Sequence, residues 1–261
     1  MTRSEVSGQG AALEVTGVSV AFSGVQALSG VSFAAFPGEV LGFIGPNGAG
    51  KTTLFDVISG LRRPDSGRIV LAGDDVTRRG PLDRSRSGLR RTFQRQQVFG
   101  GLTVFDNLLA ALEWHGGTGG VLCDIAGIKL FRSRERARHQ RITEVMELCA
   151  LTPLAHAVAE NLPIGQLRML ELARAIVADP TVLLLDEPTS GLEARDVGRL
   201  GSVIDDIKVR QVTAALLIEH DVAFVMRHSD RVLALNLGRV LAEATPQEIQ
   251  EHAEVRSAYL G

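Results

Sequence analysis

Residues 45–53 read GPNGAGKTT. They fit the pattern G-x-x-x-x-G-K-[ST], with Gly45, Gly50, Lys51 and Thr52 at the defined positions. The flanks suit the motif: VLGFI (40–44) reads as a short buried strand, and residues 52–59 read as a helix ended by Gly60. Such a loop points backbone N–H groups at phosphate oxygens, and the helix that follows adds positive potential at its N-terminus. Gly45, Pro46, Asn47, Gly48, Ala49, Gly50, Lys51, Thr52 and Thr53 are therefore the expected phosphate-binding residues of a nucleotide site. Lys51 can reach the β and γ phosphates, and the Thr52 hydroxyl can ligate Mg2+.

A second stretch, VLLLDE (182–187), sets four apolar residues of a central strand before Asp186. Ligands of α/β sheets collect at the carboxyl ends of strands, and an acid there can hold Mg2+ through water. Alone, Asp186 could as well cap a helix; beside the phosphate loop it reads as a metal acid. Glu187 can orient and deprotonate an attacking water, the alternative being a plain loop carboxylate. A kinase needs a site for its acceptor more than a water-activating base, so Glu187 favours hydrolysis.

Outward from these motifs, LEVTGVSVAF (13–22) and GVSFAAF (30–36) read as strands, Pro37-Gly38-Glu39 as a turn and GRIVLAG (67–73) as a hairpin strand. From about 103 to 178 the pattern is helical. TVFDNLLAALEW has helical apolar spacing, HGGTGG (115–120) breaks it as a connector or a lid, and helices are predicted over 132–151 and 166–178. Strand 182–186, helix 194–209, strand 214–218, helix 222–228 and strands 231–236 and 239–244 follow. Thr245-Pro246-Gln247-Glu248 is a capping box that starts a last helix. Strands alternating with helices indicate a mainly parallel sheet covered on both faces. The expected class is α/β: a P-loop NTPase (RecA-like) core with a mainly parallel sheet, an N-terminal antiparallel β part and an inserted α-helical subdomain. A single domain over 1–261 is expected, its core formed by 12–94 and 180–246, its helical subdomain by 95–179 and its C-terminal helix and tail by 247–261.

With 261 residues, 45% of them hydrophobic, the chain can bury a sizeable core. A net charge of −2 gives no global field for nucleic acid. Cys123 and Cys149 form neither a disulfide framework nor a metal-ligand spacing and read as packing residues. MTRSEVSGQGAALEV lacks the apolar run of a signal peptide, and TVLLL and VTAALLI fall far short of the ~20 residues that span a bilayer. A cytoplasmic chain that reaches a membrane through a partner is expected. The cluster Arg132, Arg134, Arg136, Arg138 and Arg141, interspersed with Glu135, reads as a solvated helix face.

Taken together, these motifs resemble the ATP-binding subunits of ABC transporters over nearly the whole chain. The resemblance implies ATP and Mg2+ held between two subunits, the phosphate loop of one facing an L-S-G-G-Q signature of the other. LPIGQ (162–166) lies where that signature belongs, so Ile164, Gly165 and Gln166 would face the partner's ATP, with Pro163 in place of the serine. By the same resemblance Phe22 stacks on adenine (a core Phe ending a strand is the alternative), Gln94 in RRTFQRQ reaches Mg2+ and the attacking water, and His220 in LLIEHD contacts the γ-phosphate. The implied catalytic set is Lys51, Gln94, Glu187 and His220; the implied metal set is Thr52, Gln94 and Asp186. SGLEARD (190–196) matches the loop that crosses the dimer interface, with Glu193 for its usual Asp.

FQRQQVFGGLTVFDNLL, RMLELARAI, EVRSAYLG and the insertion at about 113–133 look like the branched-chain (hydrophobic) amino acid uptake type. This implies the ATP-hydrolysing motor of an importer, peripheral on the inner face of the cell membrane. Its implied partners are an identical or sister ATP-binding subunit, integral membrane permease subunits gripped through 95–178, and a solute-binding protein, with no nucleic acid. Another transport system remains open, as does a non-transport clamp on nucleic acid or ribosomes, although one cassette without a long heptad run disfavours the clamp. A P-loop kinase leaves LPIGQ, Glu187 and His220 without a shared purpose.

Overall fold

A computed structural model describes residues 10–92, 97–113, 128–210 and 213–260. In chain order the elements are β1 (Leu13–Phe22), β2 (Val25–Ala35), β3 (Val40–Ile44), α1 (Lys51–Ser59), β4 (Ser66–Leu71), β5 (Asp74–Asp75), α2 (Pro81–Arg86) and β6 (Leu89–Arg91). Then come α3 (Val104–Glu113), α4 (Ile128–Leu148), α5 (Ile164–Ile176), β7 (Val182–Asp186), α6 (Ala194–Val209), β8 (Ala214–Ile218), α7 (Val222–His228), β9 (Arg231–Asn236), β10 (Arg239–Ala244) and α8 (Pro246–Glu251). Two compact units result. One takes in Met1–Gln94, Pro180–Thr189 and Ile204–Gly261, the other Arg95–Asp179 and Ser190–Val203.

The first unit holds two sheets. One is antiparallel with order β2-β1-β4-β5; the other has order β10-β9-β3-β8-β7-β6 and is parallel except between β9 and β10. β3 and β8 are five-residue apolar runs and β7 is four apolar residues ending in Asp186; all three are buried along their whole length, as parallel strands covered on both faces must be. Three aromatic rings connect the layers edge to face. Phe33 of β2 lies 5.3 Å from Phe43 of β3, and Phe43 lies 5.8 Å from Phe55 of α1. A second apolar cluster joins Ile44, Val225, Val232, Ala234, Ile249 and Val255.

β2 begins at Val25, earlier than the expected 30, and β5, α2 and β6 have no counterpart in the sequence reading. Arg84 explains α2. Its side chain is fully buried, and it donates to the carbonyls of Val57 and Ile58 at the end of α1 and to those of Thr77 and Arg79. It satisfies carbonyls that a helix end leaves open. Burial pulls its pKa down to about 10, so it stays charged at neutral pH.

The second unit holds α3, α4 and α5, with 3-10 turns at Thr152–Leu154 and Ala159–Asn161 between α4 and α5. α5 starts at Ile164, two residues before the expected 166, because Pro163 takes the extended cap position and its carbonyl accepts from Leu167 N at 3.0 Å. Of the basic cluster expected as a solvated face, Arg136 is exposed and Arg141 departs from the expectation. It pairs with Asp179 at 2.5 Å and donates to the carbonyls of Ile176 and Val177, closing the C-terminus of α5. Among the described residues no helix is long and apolar enough to cross a membrane.

Candidate functional site

Strand register assembles the site in the first unit. Phe43 of β3 and Asp186 of β7 both pair with Ile218 of β8, so the three carboxyl ends lie level. The phosphate loop leaves β3, Asp186 and Glu187 end β7, and Glu219 and His220 follow β8. This rim is where ligands of parallel sheets bind.

The loop turns at Pro46, whose carbonyl accepts from Ala49 N at 3.1 Å, and enters α1 through Gly50 at φ 103°. A Cβ on Gly50 would lie 2.6 Å from the carbonyl oxygen of Ala27, so only glycine fits there. No side chain caps α1, which leaves its first N–H groups open to an anion. Lys51 is buried and folds back to the carbonyls of Gly45 and, at 3.2 Å, Pro46. Burial lowers its pKa, and the nearby Glu187 carboxylate opposes that shift. Thr52 stays exposed in the first turn.

Asp186 is buried and half bonded. Its Oδ2 accepts from Arg91 Nη2 at 2.7 Å, and the other arm of Arg91 reaches Asp56 Oδ1 (2.7 Å) and Ser59 Oγ (3.0 Å) on α1. Burial raises the Asp186 pKa, and the Arg91 guanidinium opposes the rise. Its Oδ1 is buried with no hydrogen-bond partner among the described residues. A buried carboxylate oxygen without a donor is costly unless a cation meets it. Oδ1 and the Thr52 hydroxyl are the hard oxygen donors that Mg2+ takes, usually alongside substrate phosphates. The described residues contain no cluster of three or more His, Cys, Asp or Glu side chains able to hold a metal ion; the bare Asp186 Oδ1 and the Thr52 hydroxyl fit an ion that takes its other ligands from phosphates and water.

Glu187 adopts the left-handed backbone region at φ 49°, while its N–H donates to the carbonyl of Ile218 at 2.9 Å. A strained residue held by its neighbours is characteristic of working sites. Its Oε1 lies 2.9 Å from Nε2 of His220. Glu219, unremarked in the sequence, is buried; one oxygen accepts from Thr189 N at 2.6 Å and the other from His220 N at 3.1 Å. Burial raises its pKa. It ties the loop that carries Glu187 to the loop that carries His220. Phe22 is 45% exposed, which removes it from the core, and the Arg62 guanidinium stacks 3.6 Å from its ring centroid.

The second unit presents LPIGQ. Ile164 is exposed and Gly165 buried at the start of α5. A Cβ on Gly165 would meet Asp196 Oδ2 at 2.0 Å, so a side chain of the same unit already claims the space over this glycine. Gln94 lies outside the described residues. The segment after it is pinned: Glu171 accepts from Gln97 N at 2.6 Å and pairs with Arg168 at 2.9 Å, while Asn107 accepts from Phe99 N at 2.9 Å. Sequence reasoning missed Arg91, Glu219, Asp196 and Glu171, and one faint signal could have found two of them. It holds for Glu219, after AALLI, and Glu171, within RMLELARAI, each a charge in or beside an apolar run where pairing rather than water must satisfy it; Arg91 and Asp196, among polar neighbours, carry no such signal.

Residues 28–190 match the family described as ABC transporter. The chain belongs to the ABC transporter ATP-binding family. Residues 239–261 of this ABC cassette also match a family described as branched-chain amino acid ATP-binding cassette transporter. It is 36% identical over 249 residues to the high-affinity branched-chain amino acid transport ATP-binding protein BraF of Pseudomonas aeruginosa, covering 95% of this chain and 97% of that one. The same identity and coverage hold for LivG of Escherichia coli. Among solved structures, the ADP conformation of MJ1267, an ATP-binding cassette of an ABC transporter, superposes with a TM-score of 0.79 at 28% identity, over 97% of this chain and all of that one. As an ABC cassette the chain is an ATP-binding ATPase subunit with an α/β P-loop fold.

Proposed function

We propose that this ABC cassette drives an importer of branched-chain or related hydrophobic amino acids. The observation that carries the substrate class is the shared identity with BraF and LivG along nearly the full length of each, joined by the C-terminal match at 239–261. In this reading two ATP-binding chains close on ATP. Each supplies a phosphate loop to its own nucleotide and Ile164, Gly165 and Gln166 to the partner's. The N-terminus of α5 then faces the γ-phosphate. The helical unit grips the permease subunits at the inner face of the membrane, and a solute-binding protein delivers the cargo.

The proposed chemistry uses residues of the rim. Residues 45–53 and Lys51 hold the phosphates, Phe22 stacks on adenine, and Thr52, Asp186 and Gln94 hold Mg2+. When bound, Mg2+ would supply positive charge against the phosphates, with the Thr52 hydroxyl and Asp186 Oδ1 among the groups that would hold it. Glu187 takes a proton from water as its oxygen forms a bond to the γ-phosphorus and the bond to the β–γ bridging oxygen breaks; ADP and phosphate leave. His220 Nε2 lies 2.9 Å from Glu187 Oε1, and this closeness of the two side chains supports a shared place at the attacking water.

Uptake of labelled leucine, isoleucine and valine by cells of the source organism tests the proposal. Deleting the chain is expected to abolish high-affinity uptake, and Lys51→Ala to fail to restore it. Uptake that persists unchanged in the deletion strain rejects the substrate class.

A further inference from the structure

We propose that Arg91 is the positioning residue of the metal acid: by holding Asp186 through Oδ2 it presents Oδ1 to the Mg2+ of bound nucleotide. The inference rests on the nucleotide reading above and adds to it a residue outside the phosphate loop, the metal set and the proposed catalytic set.

Three observations carry it. The Arg91–Asp186 pair is nearly dry, with 6% and 2% of the two side chains exposed, so water does not loosen it. The contact is one-sided: Nη2 takes Oδ2 at 2.7 Å, and Oδ1 stays buried without a hydrogen-bond partner among the described residues. The other arm is braced on α1 through Asp56 and Ser59. That is the helix whose first turn carries Lys51 and Thr52. One rigid guanidinium thereby fixes the distance between the two elements that would share the ion. A planar fork can do this and a point charge cannot. Phe55 flanks the guanidinium, 5.8 Å from its ring centroid. A buried ion pair is weak evidence for stability; an arrangement that leaves one carboxylate oxygen bare is better explained by what that oxygen is for.

The test uses the full chain saturated with ADP, Mn2+ as the probe ion and electron paramagnetic resonance of the bound ion as the readout. In Arg91→Ala the half-saturating Mn2+ concentration is expected to rise about 10-fold, as on losing a group that orients a metal ligand, with ADP affinity in EDTA within about twofold of wild type. Unchanged Mn2+ binding in the folded variant overturns the proposal. So does an equal loss of ADP affinity in EDTA, which would mark Arg91 as a support for the fold alone. Should Arg91→Ala not fold, Arg91→Lys carries the test, because an ammonium lacks the two separate, planar arms with which the guanidinium holds Asp186 and braces on α1. Half-saturation is then expected to rise at least about threefold, and wild-type Mn2+ binding in that variant overturns the proposal. A wild-type chain that binds ADP but never Mn2+ overturns the metal reading of Asp186 instead, so the two failures are distinct.

Discussion

Glu187 sits on a strained backbone with its carboxylate on His220. Replacing it by Gln removes the proton acceptor and keeps the shape, so single-turnover hydrolysis is expected to fall by roughly 10²–10⁴-fold, with nucleotide binding retained. Unchanged turnover would take Glu187 out of the mechanism. Gly165 allows a sharper experiment. Gly165→Ala forces Asp196 out of its rotamer, at a stability cost of about 1 kcal/mol in a urea titration. Adding Asp196→Ala should recover that stability. If the glycine serves a partner's ATP, the double variant stays unable to pair on ATP; recovered pairing would mean that Asp196 alone explains the glycine. The motif residues were legible because their chemistry dictates their spacing. Arg91 and Glu219 were not, since a buried charge reads as a surface charge until its partner, 95 or 30 residues away, is known.

Among the elements, those with an unbroken apolar period were legible: β3 and β8 begin and end where their hydrophobic runs do, and β7 runs one residue past its own, to Asp186. β6 was not, because LRR in a three-residue strand has no apolar alternation, and α2 was not, because the side chain that seats it is an arginine. Arg84→Met tests that seat. Leaving buried carbonyls of α1 unsatisfied is expected to cost at least about 2 kcal/mol by urea denaturation. A neutral result would mean the helix end finds other donors. The β4–β5 hairpin carries a pH signature. Hydrogen bonds from the Thr77 hydroxyl and N–H, then Arg68, bring the Asp75 pKa down from 3.8 to about 2. The folded state therefore binds the proton less readily than the unfolded chain. The stabilisation is present above pH 3.8 and disappears as pH falls from 3.8 to about 2. Asp75→Ala should flatten the stability profile in that window and leave its shape unchanged above it.

For the whole molecule, the proposed cycle makes nucleotide the link between two chains. Glu187→Gln with ATP is expected to double the mass seen by light scattering, and Lys51→Ala to stay at 27.9 kDa with or without ATP. A Glu187→Gln chain that binds ATP yet remains a monomer would end the pairing of identical chains and leave a sister subunit as the partner. The level strand ends have a practical corollary for following such a cycle. Among the described residues, Lys51, Asp186, Glu187 and His220 sit on one rim of the parallel sheet, whereas the Pro37-Gly38 turn precedes β3 at its opposite end, about 16 Å away across five residues. A fluorophore attached at that turn would ride on the same rigid strand as the phosphate loop without crowding it, giving a stationary reference mark against which movement elsewhere can be timed.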